Sequence, residues 1–142
     1  MTSSWQQVFE RLEAAGAKFS DLKSGRAFAL DALRQIPRPL PAVLADAERI
    51  AETLHNDTAS AEEIARFRER CWKYESTISI PGVPPHKNSV IAALRVAIGA
   101  TDSSVEPEPW FWVSNEAMLA EAAGVPSGMI GRLLEKHYAV PT

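Results

Sequence analysis

The stretch SVIAALRVAIGA, residues 89 to 100, constrains the fold more than any other part of the chain. Wound as a helix it is apolar on nearly every side, which is how a central helix surrounded by neighbours reads. Arg95 is its only charge. A buried, unpaired guanidinium is too costly to survive. Arg95 is therefore expected to reach the helix rim or to meet a carboxylate from another helix, with Glu48, Glu52 and Glu69 as candidates, and its expected role is an internal tether.

The segments on either side supply the neighbours. Ser3 or Ser4 can cap a first helix whose Trp5, Val8, Phe9 and Leu12 recur at one-face spacing, with Gly16 near its end. A second apolar face follows at Phe28, Leu30, Leu33 and Ile36. PRPLP, residues 37 to 41, removes backbone donors and separates that helix from a third, expected from about Pro41 to Asn56. Ser60 with Glu63 matches a capping box and opens a fourth, on which Ile64, Phe67, Cys71 and Tyr74 share a face. Its remaining charges read as a solvated face carrying i,i+4 pairs such as Glu62 with Arg66. ISIPGVPPHKN, residues 78 to 88, must be a loop. TDSSVEPEPWFWVSN, residues 101 to 115, reads as a polar connector held extended by Pro107 and Pro109, then Ser114 or Asn115 caps a short helix, Gly124 and Pro126 turn the chain, and a last helix runs from Ser127 to about Tyr138.

Alanine and leucine dominate the apolar residues, and strand formers are thinly spread. The expectation is one all-α domain over residues 1 to 142, a compact orthogonal bundle of about six or seven helices around the apolar central helix.

A single cysteine excludes an internal disulfide framework, and MTSSWQQVFERLE has neither the basic nor the apolar region of a secretory signal. No apolar run approaches the roughly 18 to 20 residues that cross a bilayer. A soluble cytoplasmic protein without membrane contact is expected. His55, His86 and His137 lie far apart and no paired-cysteine spacing exists, so no metal or other cofactor is expected. Cys71 reads as an inert buried thiol, and no phosphate-binding glycine loop or nucleophile with an oriented base is legible. The expected activity is binding and not catalysis.

One short motif points elsewhere. Leu119 and Ala120, then Ala123-Gly124-Val125, then Ile130 and Arg132, resemble the helix-turn-helix of DNA-reading proteins of the lac repressor type. The resemblance implies a DNA-binding use of residues 115 to 138, with Ser127, Met129 and Arg132 facing the groove. The matching positions, however, have packing roles that any helix-glycine-helix corner needs. The groove-facing start, Pro126 to Met129, offers none of the Arg, Lys, Asn or Gln forks that read base edges. Residues 101 to 142 also carry six acidic and two basic residues, a net of −4, against +1 for the first hundred. That charge repels phosphate, so nucleic acid is the alternative partner and not the expected one.

The sequence ARFRERCWKY, followed by a loop and then SVIAALRVAIGA, resembles small helical immunity proteins of bacterial polymorphic-toxin systems. The likeness covers about residues 60 to 100 and is carried by Arg66, Arg70, Trp72, Ala92, Leu94 and Arg95. It implies a compact cytoplasmic protein that neutralises a cognate toxin domain by binding it. Trp110, Phe111 and Trp112 stand in a row beside Glu106 and Glu108. Neighbouring side chains never point the same way from a helix or strand, so at least one of the three should reach the surface. Glu106, Glu108, Trp110 and Trp112 are accordingly the expected partner-binding residues, since aromatic anchors flanked by acids suit a basic partner surface.

Overall fold

The computed structural model describes residues 4–105 and 108–140. Seven α-helices occur among them: α1 (Trp5–Ala14), α2 (Leu22–Gln35), α3 (Ala47–His55), α4 (Ala61–Ile78), α5 (Ser89–Ala100), α6 (Pro109–Ala122) and α7 (Ser127–Tyr138). Single 3-10 turns lie at Ala42–Leu44 and Pro85–Lys87, and there is no strand among the described residues. The chain is an all-α multi-helix bundle.

Polar side chains start these helices by capturing backbone N–H groups that have no partner within the helix. Ser4 and Gln7 form a reciprocal capping box at α1. Asp21 accepts from the Lys23 N–H at α2, Ser60 from the Glu63 N–H at α4, and Asn88 from the Val90 and Ile91 N–H groups at α5. The apolar segment then takes the centre. From Ile91 to Ala100 every residue of α5 except Arg95 is buried, and α5 touches α2, α3, α4 and α6. Around it, α7 lies along α1 and α2, with the Arg11–Glu135 ion pair tying α7 to α1. Asp31 of α2 accepts from Lys136 at 3.0 Å and pairs with His137 at 2.7 Å. Burial works against charge on Asp31, yet these partners outweigh it and hold its carboxyl below the usual range.

Three local expectations are corrected. The third helix does not start at Pro41. A 3-10 turn buries Leu44 first, and α3 begins only at Ala47. Tyr74 leaves the shared face of α4: Phe67 and Cys71 are fully buried, Ile64 and Ile78 pack partly against the core, and Tyr74 is exposed. Third, the segment with the aromatic row is not an extended connector. Pro109 occupies the first turn of α6, where its missing N–H costs nothing, and Trp110 to Asn115 are helical.

Candidate partner-binding surface

Helical geometry splits the aromatic row by direction. Successive α-helical side chains are rotated by about 100°, so three in a row sweep from solvent to core. Trp110 is 49% and Phe111 54% exposed, their rings meeting edge-to-face at 6.0 Å between centroids. Trp112 turns inward and is half-buried against the core. Its ring approaches α2 at Gly25, where an added Cβ would come within 3.3 Å of the indole. Glu108, just ahead of the helix, is exposed. Glu106 lies outside the described residues. Of the four expected partner residues, Glu108 and Trp110 therefore share an exposed helix start, while Trp112 anchors that start to the bundle. Phe111 is a surface aromatic that the sequence reading left unassigned.

A second exposed indole belongs to α4. Trp72 is 42% exposed, and the Arg95 guanidinium lies over its ring at 4.5 Å from the centroid. Arg95 is held there by Glu75, with Nε donating at 2.5 Å and Nη2 at 2.9 Å to the two carboxylate oxygens. The expectation of a carboxylate from another helix is met, but by none of the three acids named for it. Glu48 and Glu52 pair with Arg34 instead, and Glu75, near the end of α4, is the residue that the fold brings beside α5. Such a two-pronged pair fixes the guanidinium plane, and the plane in turn fixes the indole beneath it. Trp72 is thus an exposed aromatic held in one orientation, which lowers the ordering cost of using it in a contact.

Two concavities adjoin this indole. An apolar groove of about 730 Å³ runs between α3, α4 and the segment after α5, with Leu54, Ile64, Ala65 and Trp72 in its walls. A cleft of about 210 Å³ lies between α4, α5 and α6, with Trp72 and Trp112 both in its walls. Arg68, Trp72 and Asp102 line both, so the two adjoin. Arg68 forms the partition by donating to the Ile98 carbonyl at 2.5 Å and to Thr101 Oγ1 at 3.3 Å, which satisfies the carboxyl end of α5.

The helix-turn-helix candidates are placed differently. Gly124, at φ +110°, makes the corner between α6 and α7 that the sequence resemblance requires. The face of α7 meant for a groove is already engaged within the bundle. Ser127 Oγ accepts from the Trp5 backbone N–H at 2.9 Å, Met129 is half-buried and packs against the core, and only Arg132 is exposed. The Trp5 indole N–H donates to Glu121 at 3.2 Å, so the start of α1 lies across this corner.

Cys71 is fully buried, and burial pushes its thiol up to about 11 despite the nearby Arg70 and Arg68. Among the described residues no group of three or more His, Cys, Asp or Glu side chains is placed to hold a metal ion. No described helix is long and apolar enough to cross a membrane. Comparison of the chain with protein-family models, with curated proteins and with solved structures gives no match.

Proposed function

We propose that the protein is a non-enzymatic protein-binding module of the immunity type, which neutralises a bacterial toxin domain by binding it through the start of α6 and the adjoining face of α4. The observation that carries this reading is the Trp110–Phe111 pair, two large aromatics packed edge-to-face and about half exposed beside the exposed Glu108. A Trp and a Phe bury about 150–250 Å² each when covered, so their exposed halves offer roughly 200 Å² of apolar surface. At about 25 cal/mol per Å² that is on the order of 5 kcal/mol of transfer energy before the costs of association. Tryptophan is also among the commonest residues at energetic centres of protein interfaces. Trp72, fixed by Arg95 and Glu75, and the apolar groove beside it extend the same binding face. The acidic C-terminal third of the chain favours a basic partner.

The DNA-binding alternative receives less support, because Ser127 is committed to the Trp5 N–H and Met129 to the core. Co-expression with the C-terminal domain encoded by the neighbouring upstream reading frame tests the proposal. Restored growth of a host poisoned by that domain, together with co-purification of the two chains, is the expected result. Undiminished toxicity with both chains present and separate would contradict it.

A further inference from the structure

Glu116 is the least explained side chain of the molecule. It sits in the middle of α6, is only 3% exposed, and its Oε2 has no hydrogen-bond partner. The fold makes room for it deliberately. Gly99 faces it from α5, and a Cβ there would come within 2.6 Å of Oε2 and closer still to Oε1 and Cδ. An apolar side chain would fill the same space without desolvating a carboxyl group. Glu116 instead lines the 210 Å³ cleft, together with Asp102, Asn115 and the indoles of Trp72 and Trp112.

The surrounding charges select a ligand. Arg68 from α4 is spent on the carboxyl end of α5, and Arg95 from α5 on Glu75. From the segment after α5, the Asp102 carboxylate faces Glu116 and opposes its ionisation, adding to the effect of burial. From α7, the Tyr138 phenol also lies near enough to feel the Glu116 charge, and it too is a buried group without a partner. Asp102 forms no ion pair among the described residues. The acid end of the cleft therefore holds two carboxyl groups, neither ion-paired among the described residues, beside the Trp112 indole, since the Trp72 ring already carries the Arg95 guanidinium. Two carboxyls fall short of a divalent-metal site, but they suit an ammonium, which carries three donors and is attracted to aromatic faces. At about 210 Å³ the cleft falls below the roughly 300–1,000 Å³ of pockets for drug-sized ligands, and it suits a short aliphatic amine.

We propose that the cleft between α4, α5 and α6 is a binding site for a primary alkylammonium group, held by the carboxylates of Glu116 and Asp102, with Asn115 and the indole of Trp112 beside it. The ammonium keeps its three protons. Burial favours the protonated form of Glu116, and the proton it carries leaves to solvent as the ion pair forms. Trp72 lines both this cleft and the proposed partner face, but occupancy of the cleft is measured on the chain alone, without any protein partner.

The test is calorimetric titration of the full chain with n-butylammonium chloride near neutral pH, in two buffers of different ionisation enthalpy. Saturable binding is expected, with an apparent enthalpy that differs between the buffers because binding is coupled to proton release. n-Butanol should not bind. Glu116→Gln, the isosteric neutral variant, should weaken binding by at least about tenfold and abolish the buffer dependence. Asp102→Asn, altered at a half-exposed position, should weaken binding without abolishing it, and it keeps the test decisive if Glu116→Gln fails to fold. Nα-acetyl-lysine methylamide forms a second arm: binding of butylammonium alone assigns the site to a free amine, and binding of the lysine derivative alone assigns it to a protein side chain. Failure of both amines to bind, or equal binding by Glu116→Gln and the parent, would overturn the proposal.

Discussion

Replacing Gly99 by Ala should reverse the sign of its effect according to what stands at position 116. Alanine in place of glycine inside a helix is worth about 1 kcal/mol in favour of the folded state. Against that, the new Cβ would overlap the Glu116 carboxyl at Cδ and both oxygens, and this carboxyl belongs to a side chain that is 97% covered. Overpacking of this kind costs about 1–3 kcal/mol. In the parent chain the clash outweighs the propensity gain, and Gly99→Ala should destabilise by about 1 kcal/mol. In a Glu116→Ala background nothing remains to clash with, and the same substitution should stabilise by about 1 kcal/mol. The coupling is about 2 kcal/mol, inside the range measured for side chains in direct contact. Urea unfolding of the four proteins reads it, and thermal melts should show it as opposite shifts of about 3 °C each. If Gly99→Ala changes stability by the same amount in both backgrounds, the close approach of α5 to Glu116 is wrong, and the cleft built on it is wrong as well.

Burial raises Glu116 above the ordinary carboxyl range, with Asp102 adding to it. Its contribution to stability is therefore fully present below the unfolded-state value and is lost as pH rises from there through the raised folded value. Parent and Glu116→Gln should diverge across that window with a slope of about 1.4 kcal/mol per pH unit, the value for one proton, in unfolding free energies measured against pH; parallel curves would show that Glu116 ionises normally. Cys71, with its thiol pushed up to about 11 and no exposure, should resist a thiol-specific disulfide reagent at neutral pH until denaturant is added; rapid labelling of the folded chain would contradict its burial. The protein should show no retention on DNA at low ionic strength, where phosphate attraction is least screened; retention that falls steeply with salt and disappears in Arg132→Glu would restore the DNA-reading alternative.

The features legible in the sequence are those that depend on local geometry. An all-round apolar helix can only be central, and α5 is. Ser4 and Ser60 announce the helices that they cap because capping is a contact within a few residues. The direction argument on three consecutive aromatics required at least one at the surface; the helix places Trp110 and Phe111 there, where the sequence had named Trp110 and Trp112. What was not legible depends on distant segments. The partner of Arg95 could not be chosen, since all acids look alike until the fold brings Glu75 beside α5. Glu116 reads in sequence as an ordinary surface acid of a helix. Its burial is set by how closely Gly99 lets α5 approach, a contact between residues 17 positions apart. Ser127 reads as groove-facing because nothing near it in sequence reveals that Trp5 is adjacent. Pro109 was misjudged for a local reason: a proline that interrupts a connector and one that opens a helix have the same neighbours, and only the start of α6 distinguishes them.

The central claim is that Trp110 and Phe111 form a binding surface and not part of the core. The most direct test pairs the Trp110→Ala/Phe111→Ala double variant with the parent in two measurements, unfolding free energy and affinity for the toxin domain that the proposed function assigns as partner. The account predicts a stability change within about 0.5 kcal/mol, as for surface positions, and a loss of affinity of at least about 2 kcal/mol, roughly 30-fold in Kd. A melting temperature lowered by several degrees with the affinity of the folded variant unchanged would place these rings in the core and the binding face elsewhere.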